Sequence, residues 1–204
     1  MSENEAKIYL KKTLNFSDSD FIKLDLFEKS LLKYNKRYNL ISKNTENTIW
    51  SRHILDSAQL LRFFSTNVDA NLVDLGSGAG FPGLIIAIFN KNTGFHVKLY
   101  EKSSVKRDFL KKMNKELDLK LDIEDNVYEG AIDADIIVSR AFKKLDKMIS
   151  ISREIAKKPH KMIILKGKNA QEEINSISLD NNYSYKLEKS ITSTDSKIIV
   201  VNVR

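Results

Sequence analysis

Hydrophobic positions repeat with two different periods along the chain, and the period changes close to residue 70. Before that point, apolar residues recur at roughly helical spacing over residues 24–38 and again over residues 49–64. After it, short runs rich in β-branched residues alternate with longer helical stretches. We therefore predict an N-terminal helical extension over residues 1–70, followed by an α/β domain over residues 71–204.

The α/β part predicts a mostly parallel sheet covered by helices, because strands and helices alternate. The predicted strands cover residues 72–75, 96–100, 121–124, 135–138 and 162–165, and the predicted helices cover residues 82–89, 105–117, 145–156 and 172–177. Two final strand-like runs, residues 183–192 and 197–203, are separated by only four residues, which is too short for a crossover helix. They predict an antiparallel hairpin. The polar residues 18–20 and 44–48 predict loops.

Composition limits the classes of protein that the chain can belong to. Hydrophobic residues make up 42% of it, which is typical of a folded globular protein. No apolar run reaches the roughly 20 residues that a membrane helix needs, so we expect no membrane association. The absence of cysteine excludes disulfides, thiolate zinc sites and cysteine nucleophiles, and it fits the cytoplasm. The net charge of +7 favours a polyanionic partner such as nucleic acid, unless it reflects only a lysine-rich composition. We expect a monomer.

A glycine-rich turn connects the first predicted strand to the following helix. Gly76, Gly78, Gly80 and Gly83 lie within eight residues, more than a tight turn requires, and backbone without side chains can lie directly against a ligand. Residues 78–83 also satisfy the G-x-G-x-x-G pattern of dinucleotide sites, so this loop alone does not identify the ligand. We predict cofactor contacts at the first three of these glycines.

Two carboxylates near this loop narrow the choice of cofactor. Glu101 closes the second strand, where it could accept hydrogen bonds from ribose hydroxyls in nicotinamide and S-adenosylmethionine sites alike. Asp74 lies at the end of the first strand, where a carboxylate suits the ammonium and sulfonium groups of S-adenosylmethionine and is poorly placed beside a pyrophosphate. The alternative for Asp74 is a hydrogen bond to a helix N-terminus or loop, and the alternative for Glu101 is a solvated strand end. Together with the terminal hairpin, these positions favour S-adenosylmethionine.

Five sequence motifs together resemble one family. They are residues 34–42 (YNKRYNLIS), 52–57 (RHILDS), 76–83 (GSGAGFPG), 138–142 (VSRAF) and 165–168 (LKGK). Their order is similar to that of the small-subunit rRNA guanine-N7 methyltransferases, also called glucose-inhibited division protein B. The resemblance implies a class I, Rossmann-like, S-adenosylmethionine-dependent methyltransferase that modifies N7 of one guanine in the 530 loop of 16S rRNA, so 16S rRNA or the small ribosomal subunit would be its partner.

The resemblance also implies roles for individual residues. Gly76 and Phe81 would touch the cofactor, Tyr128 and Glu129 would lie along its adenine, and Arg140 would face the site. The chain departs from the family pattern at Val127, where the family often has arginine. A second departure is Lys102, where a small polar residue is common.

Guanine N7 carries a lone pair and no proton, so it can attack a sulfonium methyl group without a general base. This agrees with a sequence in which its three histidines form no convincing nucleophile triad, and we expect no metal site. We assign Arg140 to guanine O6, to a phosphate or to the cofactor carboxylate. Lys166, which ends the next strand, is assigned to phosphate binding; a surface position is the alternative for both residues.

Further candidates for RNA contact come from helical stretches. His53, Asp56 and Ser57 share one helical face by their spacing; this face could bind RNA, or it could be a polar seam that packs the extension on the main domain. Lys106 and Arg107 belong to a basic helix that could bind RNA or be merely solvated. Trp50 could stack on a base or pack in the interior.

Three alternatives stay open. The same cofactor domain could methylate another RNA, a protein or a small molecule. The chain could be an NAD-binding redox protein, which NAD affinity without S-adenosylmethionine affinity would identify. It could also be a catalytically silent ribosome-binding module, which would bind RNA without transferring methyl groups.

Overall fold

A computed structural model describes residues 1–140, 143–177 and 183–204, and within these residues a seven-stranded sheet runs through the molecule. The strands are β1 (Ala70–Leu75), β2 (Phe95–Tyr100), β3 (Leu121–Glu124), β4 (Ile136–Arg140), β5 (His160–Lys166), β6 (Tyr183–Lys189) and β7 (Lys197–Val203). Their order across the sheet is β3-β2-β1-β4-β5-β7-β6. Strands β1 to β5 pair in parallel, whereas β7 is antiparallel to both β5 and β6. The predicted mostly parallel sheet with a terminal hairpin is confirmed.

The hairpin closes one edge of the sheet. Strand β7 lies between β5 and β6, and its residues from Ile198 to Val201 are buried, whereas most of β6 is exposed or half-buried. Strand β6 ends at Lys189, three residues earlier than predicted. Residues 190–192 instead form hydrogen bonds with the N-terminal part of the chain, which a strand-like sequence pattern cannot reveal.

Seven α-helices accompany the sheet among the described residues. They are α1 (Glu3–Lys12), α2 (Asp18–Tyr38), α3 (Asp56–Ala58), α4 (Gly83–Phe89), α5 (Ser104–Glu116), α6 (Leu145–Ile155) and α7 (Ala170–Asn175). Helix α3 belongs to an irregular helical segment, residues 43–63, which also contains 3₁₀ turns at Lys43–Thr48 and Gln59–Phe63 and a π-helical turn at Trp50–Leu55. The helix predicted over residues 49–64 is therefore several short pieces of different pitch.

Two predicted loops are wrong. Residues 18–20 form the first turn of α2, because the Ser17 hydroxyl accepts a hydrogen bond from the Asp20 backbone N–H and the Asp20 carboxylate accepts one from the Ser17 N–H. Residues 44–48 lie in a 3₁₀ turn. Helix α1 was not predicted; it begins at a second capping box and buries only Ala6 and Leu10, too few apolar positions to show a clear period.

The N-terminal helices and the sheet share one hydrophobic cluster. Phe27 of α2 lies 5.5 Å from the ring centroid of Phe81, which follows β1, and 6.1 Å from that of Phe109 on α5. Leu24 and Leu31, also on α2, are fully buried in the same cluster. A second cluster on the opposite face of the sheet packs α6 and α7 against β1, β4, β5 and β7. The extension therefore forms part of the layer that covers one sheet face.

Glu3 joins the start of the chain to the irregular helical segment. Its carboxylate accepts hydrogen bonds from the backbone N–H groups of Trp50 at 2.8 Å and Ser51 at 3.0 Å, and from the Ser51 hydroxyl at 2.7 Å. Trp50 is 2% exposed, stacks on Phe21 and donates its indole N–H to Glu28 at 2.9 Å. Trp50 thus packs in the interior, and Glu3 caps the helical turn that begins at it.

We expect Glu3→Ala to lower the free energy of unfolding by about 1–2 kcal/mol, because it leaves the capped N–H groups without their acceptor. Urea unfolding followed by circular dichroism measures this difference. Glu154→Ala, at an exposed position on α6, is the matched control and should change stability little. Equal stabilities for the two variants would contradict the capping role of Glu3.

Candidate active site

A cavity of about 380 Å³ lies at the carboxyl ends of β1, β2 and β4, where parallel sheets usually bind ligands. We call it the cofactor cavity. The predicted cofactor residues that line it are Gly76, Gly78, Phe81, Glu101, Tyr128 and Arg140, and the other lining residues are Leu40, Ser77, Ala79, Tyr100, Lys102, Lys106, Asp125, Val127 and Lys143. The fold thus brings together residues from five separate parts of the sequence.

The glycine loop presents backbone to the cavity. The N–H groups of Gly76 and Ser77 both donate to the Tyr100 carbonyl, which ties the loop to the end of β2. Gly78 has a φ of +58°, and a Cβ built on it would meet no atom within 4 Å. Its N–H donates to one oxygen of Glu101 at 2.8 Å, and the Ser103 N–H donates to the other at 2.8 Å. The open space beside Gly78 therefore adjoins the Glu101 carboxylate, which two backbone N–H groups hold in one orientation.

The last two glycines of the loop serve packing. A Cβ on Gly80 would lie 2.8 Å from Leu84 Cβ and 3.2 Å from Leu110 Cδ2, so Gly80 packs against α4 and α5. It does not line the cavity, contrary to the prediction that it contacts the cofactor. A Cβ on Gly83 would lie 2.8 Å from both Asp74 Cβ and Asp74 Oδ2. Only glycine lets α4 begin this close to β1.

Asp74 lies beneath the loop rather than in the cavity. It is fully buried, and its Oδ2 accepts a hydrogen bond from the Gly83 N–H at 2.9 Å. Its Oδ1 has no hydrogen-bond partner among the described residues. Burial raises the pKa of Asp74 to about 7, although the Gly83 hydrogen bond and Arg140 act to lower it. Asp74 therefore does not line the cavity in which its carboxylate was predicted to meet the ammonium or sulfonium group, and it holds the start of α4 instead.

Phe81 is the meeting point of the loop, the N-terminal segment and β4. Its ring stacks against His53 at 5.0 Å, and the Arg140 guanidinium carbon lies 4.8 Å from its centroid. Arg140 also donates from Nη1 to the Arg52 carbonyl at 3.3 Å and lies 3.9 Å from Asp56 Oδ2. Burial lowers the pKa of Arg140, whereas Asp56 and Asp74 raise it. Its guanidinium is therefore held at the cavity wall by groups from three elements.

His53, Asp56 and Ser57 were predicted either to bind RNA or to pack the extension on the main domain, and their burial and hydrogen bonds favour packing. Ser57 is fully buried and donates to the His53 carbonyl, so RNA cannot reach it. His53 is 9% exposed, its Nε2 is hydrogen-bonded to Thr45, and burial together with Arg140 lowers its pKa to about 3. Asp56 accepts hydrogen bonds from Gln59 and Thr192. These side chains form a seam between the irregular helical segment and the domain.

The predicted basic candidates occupy three different environments. Arg107 donates to the carbonyls of Glu101 and Lys102 and lies 3.5 Å from Asp125, so it braces the loops after β2 and β3 instead of facing solvent. Lys106 lines the cofactor cavity. Lys166 donates to Glu173 at 2.8 Å and lies outside the cofactor cavity, beside Arg140, in a second cavity.

The two residues predicted to lie along the adenine line different cavities. Tyr128 lines the cavity, but Glu129 is exposed and lines a different cavity next to β1 and β2. Val127, the departure from the family pattern, lines the cofactor cavity as well. Asp125 was missed, although it follows the carboxyl end of β3 as Glu101 follows β2, and that position was the available signal.

Comparison with known proteins identifies the chain's relatives. Residues 21–200 match the family model described as "GidB: rRNA small subunit methyltransferase G". A protein of Orientia tsutsugamushi (strain Ikeda), named ribosomal RNA small subunit methyltransferase G, is 37% identical over 197 residues that cover 96% of each chain. The protein of that name from Pelagibacter ubique (strain HTCC1062) is 35% identical and covers 93% of this chain and 92% of its own.

Solved structures show the same fold at low identity. An O-methyltransferase from Bacillus cereus in complex with SAH superposes with a TM-score of 0.60 at 13% identity and covers 96% of both chains. A putative O-methyltransferase from Klebsiella pneumoniae gives a TM-score of 0.63 at 10% identity, covering 98% of this chain and 97% of its own. The fold is thus the Rossmann-like methyltransferase fold. Within the described residues no helix is long and apolar enough to cross a membrane, and no cluster of three acidic or histidine side chains could hold a metal ion.

Alanine substitutions at two glycines of the loop should impair different properties. Gly83→Ala should lower the free energy of unfolding by about 1–3 kcal/mol, because the new Cβ overlaps Asp74. Gly78→Ala meets no protein atom but places alanine at a φ of +58°, so it should lower stability by about 1 kcal/mol and reduce S-adenosylmethionine affinity more than Gly83→Ala does. Thermal unfolding and calorimetric titration measure the two quantities. Equal loss of cofactor affinity in both variants with unchanged stability would contradict this division.

The raised pKa of Asp74 predicts a particular dependence of stability on pH. A carboxyl group whose pKa is about 7 in the folded protein and 3.8 in the unfolded chain contributes stability that is complete below pH 3.8 and is lost as pH rises through about 7. Asp74→Asn cannot titrate, so its stability relative to the wild type should rise over that range. Asp146→Asn, exposed on α6, is the control. Urea unfolding at several pH values tests this, and a relative stability that does not change with pH would contradict it.

Proposed function

This chain belongs to the rRNA small subunit methyltransferase G family, and we propose that it transfers a methyl group from S-adenosylmethionine to N7 of a guanine in the 530 loop of 16S rRNA. Membership makes it an S-adenosylmethionine-dependent methyltransferase of small-subunit rRNA. The acceptor atom and its location in the rRNA are the proposal. One observation carries the proposal. Where the cofactor cavity is bounded by Phe81 and Arg140, it has a fixed cation, and no side chain among the described residues there is readily available to take up a proton.

The residues around the cavity fit S-adenosylmethionine. Gly78 leaves its side of the loop open to a ligand, and Glu101 is already oriented to accept hydrogen bonds from ribose hydroxyls. Val127 and Tyr128 offer an apolar wall for the adenine ring. When bound, the cofactor supplies a methyl group on a positively charged sulfur. The chain itself supplies position, shape and exclusion of water.

Guanine N7 is an acceptor that needs no base, and the acceptor end of the cavity agrees with this. We place that end beside Phe81 and Arg140. His53, behind Phe81, has its Nε2 engaged with Thr45 and a pKa near 3, so it is a weak proton acceptor. The Asp56 carboxylate is occupied by hydrogen bonds, and Asp74 does not line the cavity. An acceptor that must lose a proton would find little help from these three groups.

Arg140 is the residue that we assign to orienting the guanine. Methylation leaves positive charge on the imidazole ring of the base, so a cation aimed at N7 would oppose the reaction. A guanidinium that donates to O6 would hold the base and leave the N7 lone pair free. Its contacts with Phe81, Asp56 and the Arg52 carbonyl limit the directions in which it can point. Lys166, next to Arg140 on the neighbouring strand, is assigned to an RNA phosphate.

The proposal predicts a specific methylation product. Small ribosomal subunits that lack the modification are incubated with methyl-labelled S-adenosylmethionine, and N7-methylguanine is mapped in the 16S rRNA. We expect label at one guanine of the 530 loop. Arg140→Ala should reduce the rate about a hundredfold because the base is no longer oriented, whereas Arg153→Ala, at an exposed position on α6, should not. Label at another atom or on another molecule would overturn the acceptor assignment while leaving the cofactor site intact.

A further inference from the structure

Two adjoining cavities continue from the cofactor cavity across the ends of β4 and β5. The first, of about 360 Å³, is lined by Arg52, Asp56, Arg140, Leu165, Lys166, Gly167, Thr192, Ser193 and Ser196. The second, of about 430 Å³, shares Leu165, Lys166 and Gly167 with it and adds Lys143, Lys144, Lys168, Asn169 and Glu173. We call the two together the basic groove. The groove meets the cofactor cavity at Arg140 and Lys143.

The groove has a strong excess of positive charge. Its lining contains six basic side chains, those of Arg52, Arg140, Lys143, Lys144, Lys166 and Lys168, and two acidic ones, Asp56 and Glu173. Such a concave cationic surface concentrates anions, and a nucleic acid strand supplies anions at regular spacing.

Both acidic side chains are already engaged inside the protein. Asp56 Oδ1 accepts hydrogen bonds from Thr192 at 2.7 Å and Gln59 at 2.8 Å, and its Oδ2 lies 3.9 Å from Arg140. Glu173 Oε2 accepts from the Leu145 N–H and from Lys166. Both carboxylates therefore interact with neighbouring protein groups, and this reduces their repulsion of an anionic ligand in the groove.

Arg52 is the cation best placed to bind an anion. Its backbone is fixed, because its carbonyl accepts the hydrogen bond from Arg140, while its side chain is exposed. No carboxylate among the described residues forms a salt bridge with it. The side chains of Ser193 and Ser196, which line the same cavity, offer hydroxyl groups there. An arginine with neighbouring hydroxyl groups is a suitable arrangement for a phosphate.

The Gln59 amide holds the far wall of the groove in place. Its Oε1 accepts from the Ile191 N–H at 2.9 Å, and its Nε2 donates to Asp56 and to the Ser190 hydroxyl. Gln59 is fully buried, so the loop between β6 and β7 is tied to the irregular helical segment. The cavity that contains Arg52 is therefore built from two distant parts of the chain.

We propose that the basic groove binds backbone phosphates of the acceptor RNA, with Arg52 contacting a phosphate next to the methylated nucleotide and Lys144 and Lys168 contacting phosphates farther along the strand. A strand in this groove would bring a base to Arg140 at the mouth of the cofactor cavity. This inference rests on the proposed function, because it takes the small-subunit rRNA strand as the occupant of the groove.

The test measures binding of a fluorescently labelled RNA hairpin that carries the 530 loop, as a function of salt concentration. Arg52→Ala should weaken RNA binding about tenfold, and each lost phosphate contact should reduce the slope of log affinity against log salt by about 0.7. The double variant Lys144→Ala/Lys168→Ala should reduce the slope about twice as much. Arg153→Ala and Lys147→Ala, both exposed on α6 outside the groove, should change neither quantity.

Two further measurements separate the possible causes of a change. S-adenosylmethionine affinity should be the same in Arg52→Ala and the wild type; a parallel loss would assign Arg52 to the cofactor and overturn the groove. In methylation of small ribosomal subunits, Arg52→Ala should raise KM more than it lowers kcat, because it removes binding outside the reacting atoms.

The groove and the proposed function can fail separately. If the wild type methylates the expected guanine but the groove variants bind RNA with unchanged affinity and salt dependence, the groove is overturned and the function stands. If RNA binding depends on Arg52 but methylation occurs at another atom, the groove is supported and the acceptor assignment falls.

Discussion

The hydrogen bond between the Gly83 N–H and the buried Asp74 carboxylate sets the geometry on which the active site depends. It joins the end of β1 to the start of α4 at a distance that a side chain on Gly83 would not allow. The turn between these residues contains Gly78, which lines the cofactor cavity and has open space beside it. Keeping a carboxylate in this position has an electrostatic cost, visible in its raised pKa, and that cost resembles the strain that functional sites often contain.

Phe81 connects the glycine loop to the N-terminal part of the chain. The ring contacts Phe27 of α2, His53 of the irregular helical segment and Arg140 of β4. Residues far apart in sequence are thereby brought to one wall of the cofactor cavity. The extension thus contributes directly to the site, and its shared hydrophobic cluster with the sheet explains why it can do so without a core of its own.

Charge is distributed unevenly around the reaction centre. Glu101 and Asp125 lie with Lys102 and Lys106 on the side of the cavity where β2 and β3 end, so that side has mixed charge, whereas cations outnumber carboxylates in the basic groove beyond β4 and β5. The cofactor and the polyanionic RNA would therefore approach Arg140 from opposite sides and meet different electrostatic fields. The cofactor would find carboxylates for its ribose hydroxyls, and the RNA would find mainly cations. This separation agrees with an enzyme that must bring two unlike molecules together and hold water out between them.

The sequence by itself determined the order of strands and helices in the α/β part, the terminal hairpin, the glycine loop and the positions of Glu101 and Arg140 at strand ends that line the cofactor cavity. These features follow from periodicity, from glycine spacing and from positions at strand ends, all of which are local signals. The capping boxes at Ser2 and Ser17 are also local signals, but their polar residues are equally typical of loops, so polarity alone does not predict these helix starts.

Only the tertiary structure decided which polar residues face a ligand. Asp74, Gly80 and Ser57 were expected at the site, yet each is committed to packing, because burial and hydrogen bonding depend on neighbours that are remote in sequence. For the same reason, the sequence did not predict that Asp125 lines the cofactor cavity or that a groove forms around Arg52. The walls of that groove come from residues about 140 positions apart in the chain. Local patterns identify the elements of a fold, whereas the direction of each side chain is set by the long-range contacts that form when those elements pack.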